Sequence, residues 1–257
     1  MKTESEKKMS EAKNSTHATS LERVIPDELT SAETTGSETL KLHLDRYEFA
    51  KKNLVPGAVL DLASGVGYGT ALLATSSEIT SAVGVDISSE AVQYAVRHYQ
   101  RERVRYLCSP ALEFKPEEGF ENVVSLETIE HVDHPHDVFH HLVSLVKPGG
   151  RLIASVPVTP SVDANPHHRS NFSRRTFLRL GSTNGLEHVK SLAQTQPFNP
   201  LAVLTRREKR TADLRTGIAG FYLRHPSHLV LRFWSILRDG FANKYLTVVW
   251  EKPRSTV

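Results

Sequence analysis

Five short apolar runs alternate along this chain with stretches of helical character: AVLDLA (58–63), SAVGVDI (81–87), VRYLC (104–108), NVVSLE (122–127) and RLIASVPV (151–158). A strand that is apolar at nearly every position must be covered on both faces. Alternation with helices supplies that cover, so the pattern predicts a parallel sheet sandwiched between helices. The linking segments fit. Leu40, Leu44, Tyr47 and Leu54 recur at helical spacing before Pro56-Gly57, with Leu42 and Phe49 as a second line. Ser88-Ser89 can cap EAVQYAVRHYQ, and PHDVFHHLVSLVK runs up to Pro148-Gly149-Gly150. LEHVKSLAQ and YLTVVWEK (245–252) are candidates for two further strands.

The remainder of the chain is bounded by composition. Residues 1–36 are rich in Ser, Thr, Glu and Lys, carry few apolar groups, and read as a mobile tail preceding one α/β domain over 37–257. Its first twenty residues lack an apolar core, so no secretory signal is expected. No run approaches the roughly 20 apolar residues of a membrane span. A single Cys excludes a disulfide framework or a cysteine zinc cage and suits a cytoplasmic setting. The net charge of +3 is too small to imply nucleic acid. It is also uneven: Arg206, Arg207, Lys209, Arg210, Arg215, Arg224, Arg232 and Arg238 face only Glu208, Asp213 and Asp239 in an apparent insert at about 199–241.

The first strand passes directly into Gly65-Val66-Gly67-Tyr68-Gly69. Glycines are needed where backbone must approach a ligand or take φ values that a Cβ forbids. Asp86 follows 21 residues after Gly65, at the end of the second strand, where a carboxylate can accept two ribose hydroxyls. The spacing lacks the third glycine of a dinucleotide turn. Asp61 would also repel a pyrophosphate, whereas it suits a cationic ligand. At the end of the fourth strand stand Glu127-Thr128-Ile129-Glu130-His131, and after the fifth Asn165-Pro166-His167-His168. Two carboxylates and imidazoles converging on a cleft can do acid/base work or bind a divalent cation; Glu130 can equally be a brace for the next helix. Were the segment helical, Glu127 and Glu130 would share a face. His140 and His141 lie off the Val138–Leu142–Leu145–Val146 stripe and are expected in solvent, as are His134 and His136 in the turn before it.

Taken in order, VLDLASGVGYG, VGVDISSEAVQYA, NVVSLETIEHV and LVKPGGRLIASVP resemble the class I S-adenosylmethionine-dependent methyltransferases. The resemblance covers roughly residues 40–195 and implies a doubly wound, seven-stranded, mostly parallel sheet of Rossmann-like type with an antiparallel last strand. It implies that Asp61 holds the methionine amino group, that Ala63, Gly65 and Gly67 let backbone pass the cofactor, that Asp86 binds the ribose, and that Ile87 packs on the adenine beside Ala111 and Leu126. One position departs: Ser109-Pro110-Ala111 stands where the family has Gly-Asp-Ala, which predicts weaker cofactor affinity. The E-x-x-E-H-V motif is similar to metal-assisted O-methyltransferases, notably of the ubiquinone-biosynthesis type and the small-RNA type. It implies Glu127, Glu130 and His131 as ligands of Mg2+ or another divalent cation. The segment 165–173 is similar to the N-x-x-H-x-x-x-F-[ST] stretch of related sugar and quinone enzymes, which adds His168 to the ligands and implies Glu130, His131 and His168 as catalytic groups. The expected acceptor is a small hydroxyl compound of sugar, phenol or quinone type. An RNA 2′-hydroxyl and a non-catalytic binding subunit are the alternatives. PSHLVLRFWSIL (226–237) reads first as a core or dimer helix, then as a lid or a peripheral membrane contact. Nucleic acid is the weakest reading of the insert, and the sequence does not define the oligomeric state.

Overall fold

The computed structural model describes residues 34–198 and 214–254. The predicted tail falls almost wholly outside them, as does the basic run at 205–210. Helix α1 (Thr34–Lys51) leads into strand β1 (Gly57–Leu62). Then come α2 (Tyr68–Leu73), β2 (Ile79–Asp86), α3 (Ser89–Tyr99), β3 (Val104–Cys108), β4 (Phe120–Leu126), α4 (Pro135–Leu145) and β5 (Val146–Pro157). The C-terminal part adds α5 (Arg174–Thr183), β6 (Glu187–Pro197), α6 (Ile218–Arg224), α7 (Pro226–Asp239) and β7 (Ala242–Glu251).

The strands form one sheet in the order β3-β2-β1-β4-β5-β7-β6. Every pairing from β3 to β5 is parallel, while β7 runs antiparallel to both neighbours. Consecutive strand residues serve opposite layers, because side chains alternate across a strand. Leu60, Val123, Leu152 and Val248 join the layer containing Phe139, Phe177 and Trp250 under α4 and α5. Their neighbours Val59, Val124, Ile153 and Val249 join the layer containing Tyr47, Leu73 and Ala95 under α1 to α3. This is the physical source of the uninterrupted apolar runs: two cores share one sheet.

One boundary and one burial differ from the sequence expectation. Helix α4 stops at Leu145, before Pro148, because Val146 has already turned extended (φ −84, ψ 128) and starts β5. The segment 226–237 is helical but is not a core helix. Leu229, Val230, Leu231, Phe233, Trp234 and Leu237 are all exposed, and Ser235 is its one buried residue. Sheet order reverses between β1 and β4, where ligands bind in open α/β sheets.

Candidate active site

A cleft of about 1130 Å³ opens at that reversal. Its wall combines the β1–α2 turn, the ends of β2 and β4, the loop after β5, and residues of α1, α6 and α7.

The glycine turn is shaped by what lies beneath it. Gly67 has φ +90, and a Cβ there would stand 2.5 Å from that of Ala95. At Gly69 a Cβ would run into the ring of Tyr47. Tyr106 on β3 donates its hydroxyl to the Gly67 carbonyl at 2.7 Å, tying the turn to the sheet. Asp86 holds its other end: its two carboxylate oxygens accept the Gly65 N–H at 2.8 Å and the Ser88 N–H at 2.9 Å. Ala63 (φ 67), Gly65, Asp86, Ile87, Ala111 and Leu126 all line the cleft, with Ile87 70% exposed. Ser109 lines it too, and its hydroxyl donates to the Pro110 carbonyl.

Asp61 and Gly67 sit behind this wall and not on it. The Asp61 carboxylate is fully buried, accepts from Thr70 Oγ1 at 2.7 Å, and lies 3.3 Å from the Tyr47 hydroxyl. Burial pushes its pKa up to about 7 against the two hydrogen bonds, with the Asp86 charge adding to the rise.

At the opposite side, Glu127 is held in a left-handed conformation, φ 52. Its N–H donates to the Ser155 carbonyl and Oγ at 3.1 and 3.0 Å, and Ser155 Oγ donates back to Glu127 Oε1 at 2.7 Å. The chain then makes a single 3-10 turn, Ile129–His131, with Ile129 anchored in the core. This reversal, and not a helix, follows β4, so Glu127 and Glu130 do not form the i, i+3 pair that the sequence suggested. The Glu130 carbonyl accepts the Arg169 and Ser170 N–H groups at 2.7 and 3.2 Å. Those bonds bring the loop after β5 alongside the turn. His168 accordingly meets His131 edge to face, with ring centroids 4.6 Å apart.

Glu130, His131 and His168 each offer a ligand atom within 4.8 Å of the others. Both Glu130 carboxylate oxygens are buried and without a hydrogen-bond partner. Burial raises its pKa well above the ordinary value, and the Glu127 charge raises it further. His168 Nδ1 lies 2.7 Å from Ser161 Oγ. Burial, with His131 and His167 nearby, holds that imidazole down at about 3, so it is neutral in ordinary buffers. An orphaned buried carboxylate beside two imidazoles is a donor set that fits a divalent cation. Glu127 is not in the group: besides Ser155, it faces the Arg46 guanidinium at 3.8 Å.

Sequence reasoning missed two contributors. Arg46, on α1, is buried, stacks 4.4 Å over the Tyr245 ring and donates to Gln194 at 2.8 Å. Only the packing of α1 on β6 and β7 makes it visible. Asp163 forms a two-pronged pair with Arg232 at 2.8 and 2.7 Å and accepts from Tyr222 at 2.6 Å. That clamp ties α6 and α7 to the loop after β5. His134 and His136 are exposed as expected; His140 is exposed beside Asn184, and His141 is half-buried against the Phe114 carbonyl.

The protein-family description that matches residues 60–154 is that of a methyltransferase domain. Around that span, the chain shares 29% identity over 154 residues with phosphoethanolamine N-methyltransferase 3 of Arabidopsis thaliana, covering 55% of this chain and 29% of that protein. It shares 32% over 110 residues with the mitochondrial ubiquinone biosynthesis O-methyltransferase of Dictyostelium discoideum, covering 38% of this chain and 34% of that protein. The chain thus spans about a third of the length of these relatives. In fold it is similar to the N-methyltransferase NodS of Bradyrhizobium japonicum, solved with S-adenosylhomocysteine. The TM-score is 0.59 at 13% identity over 91% of this chain and 97% of that one. The seven-stranded sheet is the Rossmann-like methyltransferase fold.

Proposed function

We propose that this protein is an S-adenosylmethionine-dependent methyltransferase acting on a hydroxyl oxygen of a small acceptor of sugar, phenol or quinone type. The observation that carries the reading is the cleft itself. A glycine turn braced by Asp86 forms one wall, and an unpartnered buried carboxylate with two imidazoles stands on the other.

S-adenosylmethionine supplies an electrophilic methyl group; transfer breaks its S–CH3 bond and makes an O–CH3 bond. On the cofactor side, Asp86 accepts the ribose hydroxyls, since a carboxylate has room for about four hydrogen bonds. Ile87 and Leu126 pack on the adenine, and the backbone at Ala63, Gly65 and Ala111 passes close to the cofactor. Asp61 stands behind the wall, where a methionine ammonium brought close favours its ionised form and is attracted by the charge so produced. On the acceptor side, Glu130, His131 and His168 would hold a divalent cation such as Mg2+. A cation bound there lowers the pKa of a coordinated hydroxyl. Without a cation, Glu130 and His168 orient the hydroxyl and His131 takes its proton, because an imidazole held down at about 3, as His168 is, is too weak a base for that step. Arg46 keeps the Glu127 charge in place.

Labelled S-adenosylmethionine, with magnesium or EDTA, against panels of catechols, glycosides and RNA ends tests this directly. Methyl transfer to a small hydroxyl acceptor, with cation stimulation lost in Glu130→Gln, supports metal assistance. Transfer indifferent to EDTA assigns plain general-base catalysis. The Arabidopsis relative favours an amine as the competing acceptor, because the Glu130 carboxylate also suits an ammonium. Transfer to phosphoethanolamine in preference to every hydroxyl compound would overturn the O-methyl reading.

A further inference from the structure

Helix α7 is inside out. The side that meets the domain carries polar groups: Arg232 on Asp163 and the Pro160 carbonyl, His228 beside Asn171 at 3.5 Å, and buried Ser235. The side facing away carries Leu229, Val230, Leu231, Phe233, Trp234 and Leu237, each between 49% and 63% exposed. Leu223 at the end of α6 and Phe241 just after α7 extend the same apolar surface. No described residue covers it. Apolar side chains left in water this way gain nothing from the fold, and a contiguous patch of such size marks a contact with something outside it.

The charge around the patch selects the partner. From Leu214 to Phe241 the sequence has four arginines against one aspartate. Arg224 and Arg238 are exposed at the two ends of the apolar stretch, Arg238 pairing with Asp239. Arg232 is taken up by Asp163 on the inner side, so the surplus positive charge of the segment rests on Arg215 and Arg224. A second copy meeting this face across a two-fold axis would set like charges together. An anionic lipid surface neutralises them. An amphipathic helix with Trp, Phe and Leu on one side and flanking arginines is the form that lies in a headgroup layer, its apolar side reaching roughly 5–10 Å inward.

We infer that α7 docks this protein on an anionic lipid surface through Leu229, Phe233, Trp234 and Leu237. The docking owes nothing to catalysis. One consequence does rest on the methyltransferase reading. Arg232, Ile236 and Phe241 line the cleft, so docking through the outer side of α7 would set that cleft wall beside the membrane interface, which suits an amphiphilic acceptor.

The test is flotation of the full chain with vesicles of phosphatidylcholine alone, or mixed equally with phosphatidylglycerol. S-adenosylhomocysteine affinity is measured alongside as a readout of the cofactor side. The protein is expected to float with the mixed vesicles and much less with the neutral ones. Substituting Phe233→Ser with Trp234→Ser should weaken flotation about tenfold or more, leaving cofactor affinity unchanged. The second pair, Leu229→Ser with Leu237→Ser, should act likewise. Because Trp250 is buried, a blue shift or quenching by acyl-chain-brominated lipid reports on Trp234. A chain that stays in solution and sediments as a dimer dispersed by the same substitutions overturns the inference in favour of self-association. A monomer that ignores both vesicle types overturns it outright. Loss of cofactor binding with flotation intact would sink the methyltransferase reading and leave the docking standing.

Discussion

Breaking the Asp163–Arg232 pair tests how the outer wall of the cleft is held. Asp163 is 1% exposed, and Arg232 reaches it with two hydrogen bonds of 2.8 and 2.7 Å. Burial pushes the Asp163 carboxyl up, but the Arg232 hydrogen bonds and charge outweigh it and leave the carboxyl below its ordinary value. Removing one partner strands the other charge in a dry site, which costs about 3–5 kcal/mol. Helix α7 buries little else, so the cost falls on docking of the helix and not on the sheet. Arg232→Met should therefore speed amide exchange across α6 and α7 by roughly a hundredfold, about 3 kcal/mol. Peptides from β1, β4 and β5 should keep their protection. Asp163→Asn should do much the same. The two substitutions together should cost clearly less than their sum, because neither charge is then unpaired. Strict additivity, or unchanged exchange in α7, would refute the clamp.

Further outcomes follow from the cofactor wall. The folded Asp61 carboxyl keeps its proton to about pH 7, while the unfolded one loses it near 4, so the folded state binds more protons between those values. Stability should therefore fall by about 4 kcal/mol as pH rises through that window and level off above it. Urea midpoints of Asp61→Asn, measured across the same range, should lack this part of the decline; parallel profiles would contradict the assignment. Gly69→Ala drives a methyl into the Tyr47 ring and should cost about 1–3 kcal/mol in thermal unfolding, with Tyr47 displaced from Asp61. Asp86→Ala removes the acceptor of the Gly65 and Ser88 N–H groups and should weaken S-adenosylhomocysteine by about tenfold or more in calorimetry.

The sheet was legible in the sequence because its signal is redundant. Each strand is apolar through and through, and residues such as Leu60 and Val59 answer to separate cores. The antiparallel β7 came from family resemblance alone. The acceptor side was half legible. Spacing found Glu130, His131 and His168, which the structure does bring together. It misjudged Glu127, because a left-handed backbone at a glutamate leaves no trace in residue type. Arg46 and Asp163 were invisible for a different reason: their partners are 148 and 69 residues away. Helix α7 misled because apolar periodicity reports that a face will be covered and not by what. Its apolar side faces outward, and the polar side meets the domain.

The central claim is that the cleft at the β1–β4 reversal holds S-adenosylmethionine. Isothermal titration of the full chain with S-adenosylmethionine, repeated on Asp86→Ala, tests it most directly. The account predicts saturable one-to-one binding in the parent and about tenfold or more weaker binding in the variant. No heat at millimolar ligand, or equal affinity in the two proteins, would contradict it.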